Sequence, residues 1–369
     1  MGGDSGSSVL IAAGGTGGHI FPALAFGNWL REHGKAGRIR YLSGSRPLEA
    51  EIYRSQGVDP IRLPLPGSPL GGASAAQNFQ RWTALLRSFF RTGVLLTRDR
   101  PDVCFLFGGY VSAAPLLWCR LLRIPAVMHE QNACAGKVTR LAARLGVPVA
   151  SGWDECRGLG GRRFVPVGIP VRALKRLPRR DAAAALGLDA REEDLIAGVI
   201  GGSLGSASMN ALVDRLSAKP PESVLNAQKA RGGRFILVVL GDAPSSAVPR
   251  PNVRFVGRQW DMTAFYSLCD FVLCRAGAST LAELAAYGVP ALAVPWMQAA
   301  DGHQEANALN FVRRTGNPLW LESAPEEDLN KALLNITRAV GPGPVMGLGA
   351  AGEGALPSVG ELLFAQKDG

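Results

Sequence analysis

The sequence predicts an α/β protein with two similar halves, each built on a parallel β-sheet covered by helices. Short apolar runs alternate with segments of helical periodicity, and repeated β-α units of this kind form parallel sheets. An apolar run, a glycine-rich loop and a helix start follow one another twice, at residues 9–25 and 196–210. The length of 369 residues also suits two domains. We therefore expect two parallel sheets facing a cleft, a favoured place for a ligand.

The first glycine loop carries the clearest chemical signal. Residues 9–13 form a short apolar run typical of a buried parallel strand, and glycines fill four of the five positions 14–18 around Thr16. Helical spacing starts at Ile20, so bare backbone N–H groups precede a helix and suit a phosphate or diphosphate. His19 lies where the loop becomes the helix and would face the bound group. The alternative is a plain tight turn with a structural histidine.

The spacing of these glycines argues against a dinucleotide cofactor. A dinucleotide-binding loop follows the pattern G-x-G-x-x-G and has an acidic residue about 20 positions further on. Here the third glycine of that pattern is missing, and Gly44 and Ser45 follow the next predicted strand where a carboxylate would be needed. We therefore expect no nicotinamide and no other cofactor.

The remainder of the first half alternates in the same way. The pattern predicts strands at 39–43, 61–63, 103–107 and 126–130, and helices at 20–33, 47–56, 75–98 and 111–122. Ligands of parallel sheets lie beyond the carboxyl ends of the strands. The glycine loop, Gly109–Tyr110 and residues 130–132 should therefore converge at one edge of the sheet.

The second half repeats this organisation after a predicted hinge. Residues 168–172, with the prolines and arginines that follow, resemble a linker, and strands are predicted at 196–200, 235–240, 253–256, 271–274 and 291–295. We therefore predict an N-terminal domain at 1–167, a C-terminal domain at 168–345, and a tail at 346–369. The apolar end of that tail predicts a helix packed back on the body.

A second helix start, after the predicted strand 271–274, has the chemistry of a nucleotide site. Ala278, Ser279 and Thr280 offer backbone amides and hydroxyls to a phosphate. Glu283 follows one helical turn later, about 5 Å along the axis, where a carboxylate can accept both hydroxyls of a ribose. The alternative is a helix cap formed between Ser279 and Glu283.

The composition and net charge of the chain indicate its binding partners and its cellular compartment. Forty Lys and Arg against thirty Asp and Glu give a net charge of +10, which suits a polyanion or an anionic membrane surface. Nucleic acid is not expected because zinc-finger, RNP-like and long basic motifs are absent from the sequence. The six cysteines lack C-x-x-C spacing, so neither a metal site nor disulfides are expected. No secretory signal is recognisable, and we expect a cytoplasmic protein.

The predicted helix at 75–98 mixes aromatic and basic residues. Apolar and basic faces on one helix suit a membrane interface that contains anionic lipid. The apolar candidates for membrane contact are Trp82, Leu85, Leu86, Phe89 and Phe90, with Trp118 extending the patch. Arg81, Arg87 and Arg91 supply the basic groups. The alternative is a core helix with solvated arginines.

Several long motifs in one order resemble the MurG family of peptidoglycan glycosyltransferases. The matching stretches are GGTGGHIFPALA (14–25), GGYVSAAP (108–115), HEQN (129–132), GGSLGS (201–206), RAGASTLAELAAYGVPALAVP (275–295) and DGHQEANA (301–308). The resemblance implies the GT-B fold, with two Rossmann-like domains, the acceptor held by the first and the donor nucleotide by the second. It also implies a peripheral protein at the cytoplasmic face of the bacterial inner membrane, active in cell-wall biogenesis, cell shape and division, with other cell-wall synthesis proteins as candidate partners.

The implied reaction is an inverting, metal-independent transfer of N-acetylglucosamine from UDP-GlcNAc. The acceptor is the 4-hydroxyl of MurNAc in undecaprenyl-diphospho-MurNAc-pentapeptide, known as lipid I, and the product is lipid II. His19 is the best-placed candidate base. Glu130 is a second candidate, for which the alternative is a buried carboxylate that stabilises its loop. His19 could instead donate to the acceptor diphosphate.

The resemblance also implies a set of substrate-binding residues. Thr16, Gly17 and Gly18 would contact the donor sugar or the acceptor diphosphate, and Asn132 and Gln304 would bind GlcNAc. Tyr110, at the same edge of the sheet, is a further candidate for substrate binding. Arg172 and Ser203 would face the donor diphosphate, the backbone at Gln259 would read uracil, and Ala278, Ser279, Thr280, Leu281, Ala282 and Glu283 would hold phosphate and ribose. The sequence departs from the family at Ile169, where asparagine is usual, and at 258–260, which reads Arg-Gln-Trp.

Two other functions share parts of this pattern. A UDP-GlcNAc 2-epimerase has the same fold and donor site, but it needs carboxylates around the sugar and no lipid surface. A non-catalytic nucleotide-sugar-binding protein would not need the complete polar set of His19, Asn132, Arg172, Glu283 and Gln304. Both alternatives are less consistent with the sequence than the transferase.

Overall fold

The computed structural model of the chain describes residues 6–68, 74–161, 164–173, 175–201, 207–244 and 248–340. The chain divides into two compact units between Arg172 and Ala173. The predicted tail at 346–369 lies outside the described residues.

The first unit has a seven-stranded parallel sheet in the part that is described, with the order β3-β2-β1-β4-β5-β6-β7. Its strands are β1 (Ser7–Ala12), β2 (Ala36–Ser43), β3 (Ile61–Arg62), β4 (Val103–Leu106), β5 (Ala126–Glu130), β6 (Val149–Ser151) and β7 (Val165–Pro166). Its helices are α1 (Gly17–Glu32), α2 (Pro47–Ser55), α3 (Ala75–Arg98), α4 (Ala113–Leu122) and α5 (Lys137–Arg144). A 3₁₀ turn at Tyr110–Ser112 leads into α4.

The second unit has a five-stranded parallel sheet over its described residues, with the order β10-β9-β8-β11-β12. Its strands are β8 (Leu195–Ile200), β9 (Phe235–Val239), β10 (Val253–Phe255), β11 (Phe271–Cys274) and β12 (Ala291–Ala293). Its helices are α6 (Arg179–Ala185), α7 (Ala207–Ala218), α8 (Glu222–Arg231), α9 (Thr263–Leu268), α10 (Ala278–Tyr287), α11 (His303–Thr315) and α12 (Glu326–Ala339). The predicted α/β class, with a parallel sheet in each half, is confirmed.

The core of the first unit is built around β1 and α1. The side chains of Leu10 and Ile11 on β1 are completely buried, as expected for the central strand of a sheet covered on both faces. Helix α1 lies close to β2 because Gly27 has no side chain. A Cβ placed on Gly27 would lie 1.9 Å from the hydroxyl oxygen of Tyr41. Core packing therefore sets the position of α1, whose first turn reaches the candidate site.

An ion pair at the start of β8 stabilises the second unit. The carboxylate of Asp194 is fully buried and accepts a hydrogen bond of 2.7 Å from Nη2 of Arg234. The backbone N–H groups of Arg191 and Arg234 also donate to it, at 2.9 and 2.8 Å. Burial alone would raise the pKa of Asp194, but these hydrogen bonds and the guanidinium charge lower it from 3.8 to about 2.

We expect Asp194→Asn to destabilise the protein at neutral pH. Because the folded pKa lies below the unfolded one, the ionised carboxylate contributes about 2 kcal/mol to the free energy of unfolding above pH 4. That contribution is lost as the pH falls through about 2. Urea midpoints measured between pH 7 and pH 2 should show a difference between wild type and Asp194→Asn that narrows with acid. Asp189→Asn is the control, because this exposed partner of Arg234 lies 3.5 Å away and should change little.

Candidate active site

The candidate site in the first unit starts at the junction of β1 and α1. Thr16 is the N-terminal capping residue of α1, and the backbone N–H of His19 donates to its carbonyl at 3.1 Å. The helix therefore begins at Gly17, three residues before the predicted start at Ile20. Gly17, Gly18 and His19 form its first turn, where the positive end of the helix dipole favours a negative group.

A buried carboxylate holds the glycine loop. Oε1 of Glu49, on α2, accepts hydrogen bonds of 2.5 Å from the backbone N–H of Gly15 and from the hydroxyl of Tyr110. Nη1 of Arg46 donates to the carbonyl of Gly15 at 3.0 Å. Glu49 is completely buried, so the Gly15 amide already has a hydrogen-bond acceptor within the protein. The sequence analysis missed Glu49 because its local surroundings look like an ordinary helix start.

The contacts of Tyr110 differ from its predicted role in substrate binding. Its hydroxyl is directed to Glu49, and burial together with this hydrogen bond raises the pKa of Tyr110 well above its usual value. The hydroxyl therefore stays protonated and donates to the carboxylate at every physiological pH. In this structure Tyr110 positions the glycine loop through Glu49.

Three loops converge on the imidazole of His19, as predicted. Nδ1 of His19 lies 2.8 Å from Oε1 of Gln131, in the loop that follows β5. The loop after β4 approaches from the other side, where a Cβ on Gly109 would lie 3.5 Å from Nε2 of His19. Gly109 has a φ of 70°, a conformation that favours glycine. The ring is therefore held between backbone segments, and its Nε2 has no hydrogen-bond partner among the described residues.

The contacts of Glu130 fit a carboxylate that stabilises its loop, which is the alternative to its predicted role as a base. One carboxylate oxygen accepts from the backbone and side-chain amides of Asn132, at 3.0 and 3.3 Å. The other accepts from the backbone N–H of Gly136 at 2.9 Å and from the hydroxyl of Thr139 at 2.6 Å. With four donors and almost no exposure, the carboxylate orders the loop before α5. This loop presents Asn132, which is partly exposed.

The predicted hinge residues pack against the first unit. The guanidinium of Arg172 lies 4.2 Å from the centre of the Phe21 ring on α1, a cation–π contact. Ile169, which replaces the usual asparagine, is buried, and a Cβ at Gly152 would lie 2.3 Å from its Cγ1. The apolar side chain therefore fills the space that Gly152 leaves open. Arg172 thus lies beside the first turns of α1.

The second predicted site lies at the start of α10. Gly277 caps this helix, and Ala278–Thr280 form its first turn. Glu283 is buried, and its Oε2 accepts a hydrogen bond of 2.9 Å from the hydroxyl of Tyr266 on α9. The first turn of α10 and the positioned carboxylate of Glu283 therefore lie one turn apart. Tyr266 is a further residue of this site that the sequence analysis missed.

Leu281, predicted to bind substrate, belongs to the core. Its side chain is completely buried and its backbone N–H donates to the carbonyl of Gly277 at 3.0 Å. Neither group is available to a ligand. Ala282 is partly exposed on the same helix.

The remaining predicted residues of the second unit lie in loops or at a helix start. Oε1 of Gln304, on α11, accepts from the backbone N–H of Trp296 at 2.9 Å and so holds the segment after β12. Nε2 of Gln259 donates to the carbonyl of Val256 at 2.5 Å in the loop after β10. Ser203 lies outside the described residues.

Helix α3 presents an apolar stripe to solvent. The exposed side chains, spaced by three or four residues, are Phe79, Trp82, Leu86, Phe90 and Val94. Leu85, Phe89 and Trp118, which the sequence placed in the same patch, are only half exposed or less because they face inward. The indole N–H of Trp118 donates to the carbonyl of Phe89 at 2.7 Å. Among the described helices, none combines the length and the apolar character needed to cross a membrane.

These two parallel α/β units, each with a polar site at a helix start beyond a strand, have the GT-B fold. The family model for the glycosyltransferase family 28 N-terminal domain matches residues 9–149, and that for the C-terminal domain matches residues 196–340. The chain belongs to glycosyltransferase family 28 and, within it, to the MurG group, which confirms the predicted family and a hexosyltransferase activity.

Individual relatives support the same conclusion. The chain is 34% identical over 337 residues to the UDP-N-acetylglucosamine–N-acetylmuramyl-(pentapeptide) pyrophosphoryl-undecaprenol N-acetylglucosamine transferase of Thiobacillus denitrificans, covering 89% of this chain and 87% of the relative. The crystal structure of Acinetobacter baumannii MurG superposes with a TM-score of 0.63 at 25% identity, covering 97% of this chain and 99% of that chain.

The fold alone does not separate the transferase from the epimerase. A Listeria monocytogenes structure described as a UDP-N-acetylglucosamine 2-epimerase also superposes with a TM-score of 0.63, over 98% of this chain and 96% of that chain, but at 14% identity. At that identity the likeness shows the fold only. The sequence similarity therefore favours the transferase over the epimerase.

Proposed function

We propose that this chain transfers N-acetylglucosamine from UDP-GlcNAc to the 4-hydroxyl of MurNAc in undecaprenyl-diphospho-MurNAc-pentapeptide, with inversion. The observation that carries the proposal is His19, held at Nδ1 by Gln131 in the first turn of α1 with Nε2 available. A neutral imidazole in this position can take a proton from a sugar hydroxyl. The printed name of the Thiobacillus relative describes the same donor sugar and the same acceptor.

In the proposed reaction, His19 takes the proton of the acceptor hydroxyl. The hydroxyl oxygen then forms the bond to the anomeric carbon of GlcNAc, and the bond from that carbon to the UDP oxygen breaks. UDP leaves with the electron pair, so the configuration at the anomeric carbon inverts. The first turn of α1, with Thr16, Gly17 and Gly18, would bind the acceptor diphosphate through its backbone and its dipole.

The donor nucleotide would bind the second unit. The first turn of α10 supplies Ala278, Ser279 and Thr280 to a phosphate, and the carboxylate of Glu283 would accept the ribose hydroxyls. The hydrogen bond from Tyr266 leaves Glu283 in a fixed orientation, which reduces the conformational entropy lost on binding. Gln304 and Asn132 would contact the sugar, Arg172 and Ser203 the diphosphate, and the backbone at Gln259 the uracil.

Transfer of labelled GlcNAc to a short-chain lipid I analogue tests this function directly. Product formation with and without magnesium would support an inverting transferase that needs no metal. Formation of ManNAc from UDP-GlcNAc without acceptor would instead assign an epimerase. Donor binding without any turnover would leave a nucleotide-sugar-binding protein and would refute the proposed reaction.

We further propose that the apolar stripe of α3 contacts the cytoplasmic face of the membrane that holds the lipid-linked acceptor. Trp82, Leu86 and Phe90 are exposed on one face of a 24-residue helix, and large exposed apolar patches usually serve as interaction surfaces. Arg87 and Arg91 are exposed on the same helix and can pair with anionic headgroups. The arrangement matches an interfacial helix that lies on a bilayer surface.

The triple variant Trp82→Glu, Leu86→Glu and Phe90→Glu is expected to bind vesicles of anionic phospholipid at least about tenfold more weakly than wild type. Three apolar side chains would no longer enter the interface, and three negative charges would repel the lipid. Sedimentation with vesicles measures the effect. Val248→Glu is the control, because Val248 is exposed on the second unit. Undiminished vesicle binding by the triple variant would assign the stripe to another partner.

A further inference from the structure

A chain of hydrogen bonds runs from His19 into the interior of the first unit. Nδ1 of His19 lies 2.8 Å from Oε1 of Gln131, and Nε2 of Gln131 lies 3.0 Å from Nδ1 of His129. Nε2 of His129 lies 2.9 Å from the carbonyl oxygen of Gly168. These hydrogen bonds therefore join the candidate base to two buried polar side chains and end on the backbone at Gly168, the first residue of the predicted hinge.

Two backbone carbonyl groups, those of Gly168 and His129, determine the direction of every hydrogen bond in this chain because a carbonyl oxygen can only accept. The carbonyl of Gly168 can only accept, so Nε2 of His129 carries a proton. Burial lowers the pKa of His129 to about 4, although the Gly168 carbonyl acts in the opposite sense. His129 is therefore neutral near pH 7, and its Nδ1 is an acceptor. The amide nitrogen of Gln131 donates to it.

A second contact fixes the amide of Gln131 independently of His129's tautomer. Nε2 of Gln131 also lies 3.2 Å from the backbone carbonyl of His129, which accepts and cannot donate. Both N–H bonds of this amide are thus directed towards β5, and Oε1 must face His19. Because Oε1 is an acceptor, Nδ1 of His19 carries the proton. In the neutral ring, Nε2 of His19 is then the atom with the free lone pair.

The surrounding packing keeps this arrangement rigid. Gln131 and His129 are both 1% exposed, so water does not compete for their hydrogen bonds. The His129 ring stacks on Phe107, with ring centres 5.2 Å apart, and the indole N–H of Trp153 donates to the backbone carbonyl of Gln131 at 2.8 Å. Amide rotation or ring flipping would leave buried polar groups unpaired, which is costly.

We propose that Gln131 is a positioning residue that fixes the neutral imidazole of His19 in the Nδ1–H tautomer, and that His129 and its contact with Gly168 fix Gln131. The placement of the proton is a property of the free protein. Its catalytic consequence, an Nε2 lone pair presented to the acceptor hydroxyl, rests on the proposed function. Partners that orient a histidine commonly act in this way, by setting which ring nitrogen is protonated.

Nitrogen NMR of the full chain labelled with ¹⁵N-histidine tests the placement of the proton without any substrate. The chain has four histidines, so single substitutions of His19, His33, His129 and His303 assign every signal. Above the pH at which His19 loses its charge, we expect a protonated Nδ1 and an unprotonated Nε2 for His19, and the reverse for His129. A neutral His19 protonated at Nε2 in the wild-type protein would overturn the proposal, whatever the activity.

Variants of Gln131 separate positioning from packing. Gln131→Leu is expected to lose the tautomer preference of His19 and to lower kcat roughly 10- to 100-fold, with KM for UDP-GlcNAc nearly unchanged. Gln131→Glu keeps an acceptor beside His19 and should keep its Nδ1–H tautomer. Gln56→Leu, a partly exposed glutamine at the end of α2, is the matched control and should behave as wild type.

Two results would contradict the role of Gln131. An unchanged His19 tautomer in Gln131→Leu would show that another group holds the ring. If Gln131→Glu and Gln131→Leu lose the tautomer preference of His19 equally, Gln131 acts only through packing. The predicted tautomer in a wild-type protein that transfers no GlcNAc would leave this inference intact and refute the proposed function instead.

Discussion

Replacement of His19 by alanine is expected to lower kcat for GlcNAc transfer by roughly 10²- to 10⁴-fold, the usual contribution of a general base. The acceptor hydroxyl would lose the group that takes its proton, while the donor site on the second unit would remain complete. We therefore expect the Kd for UDP-GlcNAc to stay within about twofold of the wild-type value, which is a binding free-energy change of about 0.4 kcal/mol or less. Steady-state kinetics with a short-chain acceptor and titration calorimetry with the donor measure the two quantities.

His33→Ala is the matched control for this substitution. His33 is exposed at the other end of α1, where its ring stacks on Trp29 with centres 4.7 Å apart. It should leave both kcat and donor affinity unchanged. Wild-type turnover by His19→Ala would remove His19 as the base. Weaker donor binding by the same variant would mean that His19 contacts the nucleotide sugar rather than the acceptor.

Glu283→Ala is expected to weaken UDP-GlcNAc binding by roughly 100-fold or more. A hydrogen bond to a charged group contributes about 1.5–3 kcal/mol, and the proposed carboxylate accepts two of them from the ribose. The substitution also removes the hydrogen bond that Glu283 accepts from the hydroxyl of Tyr266. Titration calorimetry with UDP measures the loss, because UDP carries the ribose but not the transferred sugar.

Two further variants separate the ribose contact from general damage to α10. Tyr266→Phe keeps the ring but removes the hydrogen bond to Glu283, so we expect a smaller loss of UDP affinity, about tenfold. Glu326→Ala, an exposed carboxylate at the start of α12, should have no effect. Unchanged affinity in Glu283→Ala would refute the ribose assignment, and a loss of melting temperature in every variant would point to unfolding.

The sequence predicted the elements whose pattern is strong and local. The long amphipathic helix has the same bounds in sequence and structure, Ala75–Arg98, because its periodicity extends over many turns. The strand at 126–130 also agrees in full, since a run of apolar residues ends there in polar ones. The glycine loop lies where the sequence predicts it, but α1 starts three residues earlier than predicted because Gly17 and Gly18 fit its first turn.

Two short elements, β6 and α9, are not predicted from the sequence, although the short strands β3, β10 and β12 are. Strand β6 has only three residues and α9 only six, and neither length gives a periodicity that can be recognised. Their existence depends on the neighbours that pair or pack with them. Helix α10 shows a related limit: the resemblance to the family placed Leu281 among the residues that would hold phosphate and ribose, although its side chain belongs to the core.

The polar contacts of the site could not be predicted because they join distant parts of the chain. Glu49 lies 34 positions from Gly15, and Gln131 lies 112 positions from His19. No local pattern specifies such pairs, which form only when the sheet brings its loops together. Glu130 illustrates the same point from the other side. Its residue type suits either a base or a carboxylate that stabilises a loop, and its four donors favour the second role.

The absence of a side chain at Gly27 sets the position of His19 as well as the packing of the core. Gly27 lies eight residues beyond His19 on the same helix, about 12 Å along the axis. Any larger residue would push α1 away from Tyr41, and the helix would carry the imidazole with it. A displacement of about 1 Å can reduce turnover roughly 100-fold. A larger residue at Gly27 is therefore expected to impair the proposed reaction as well as folding.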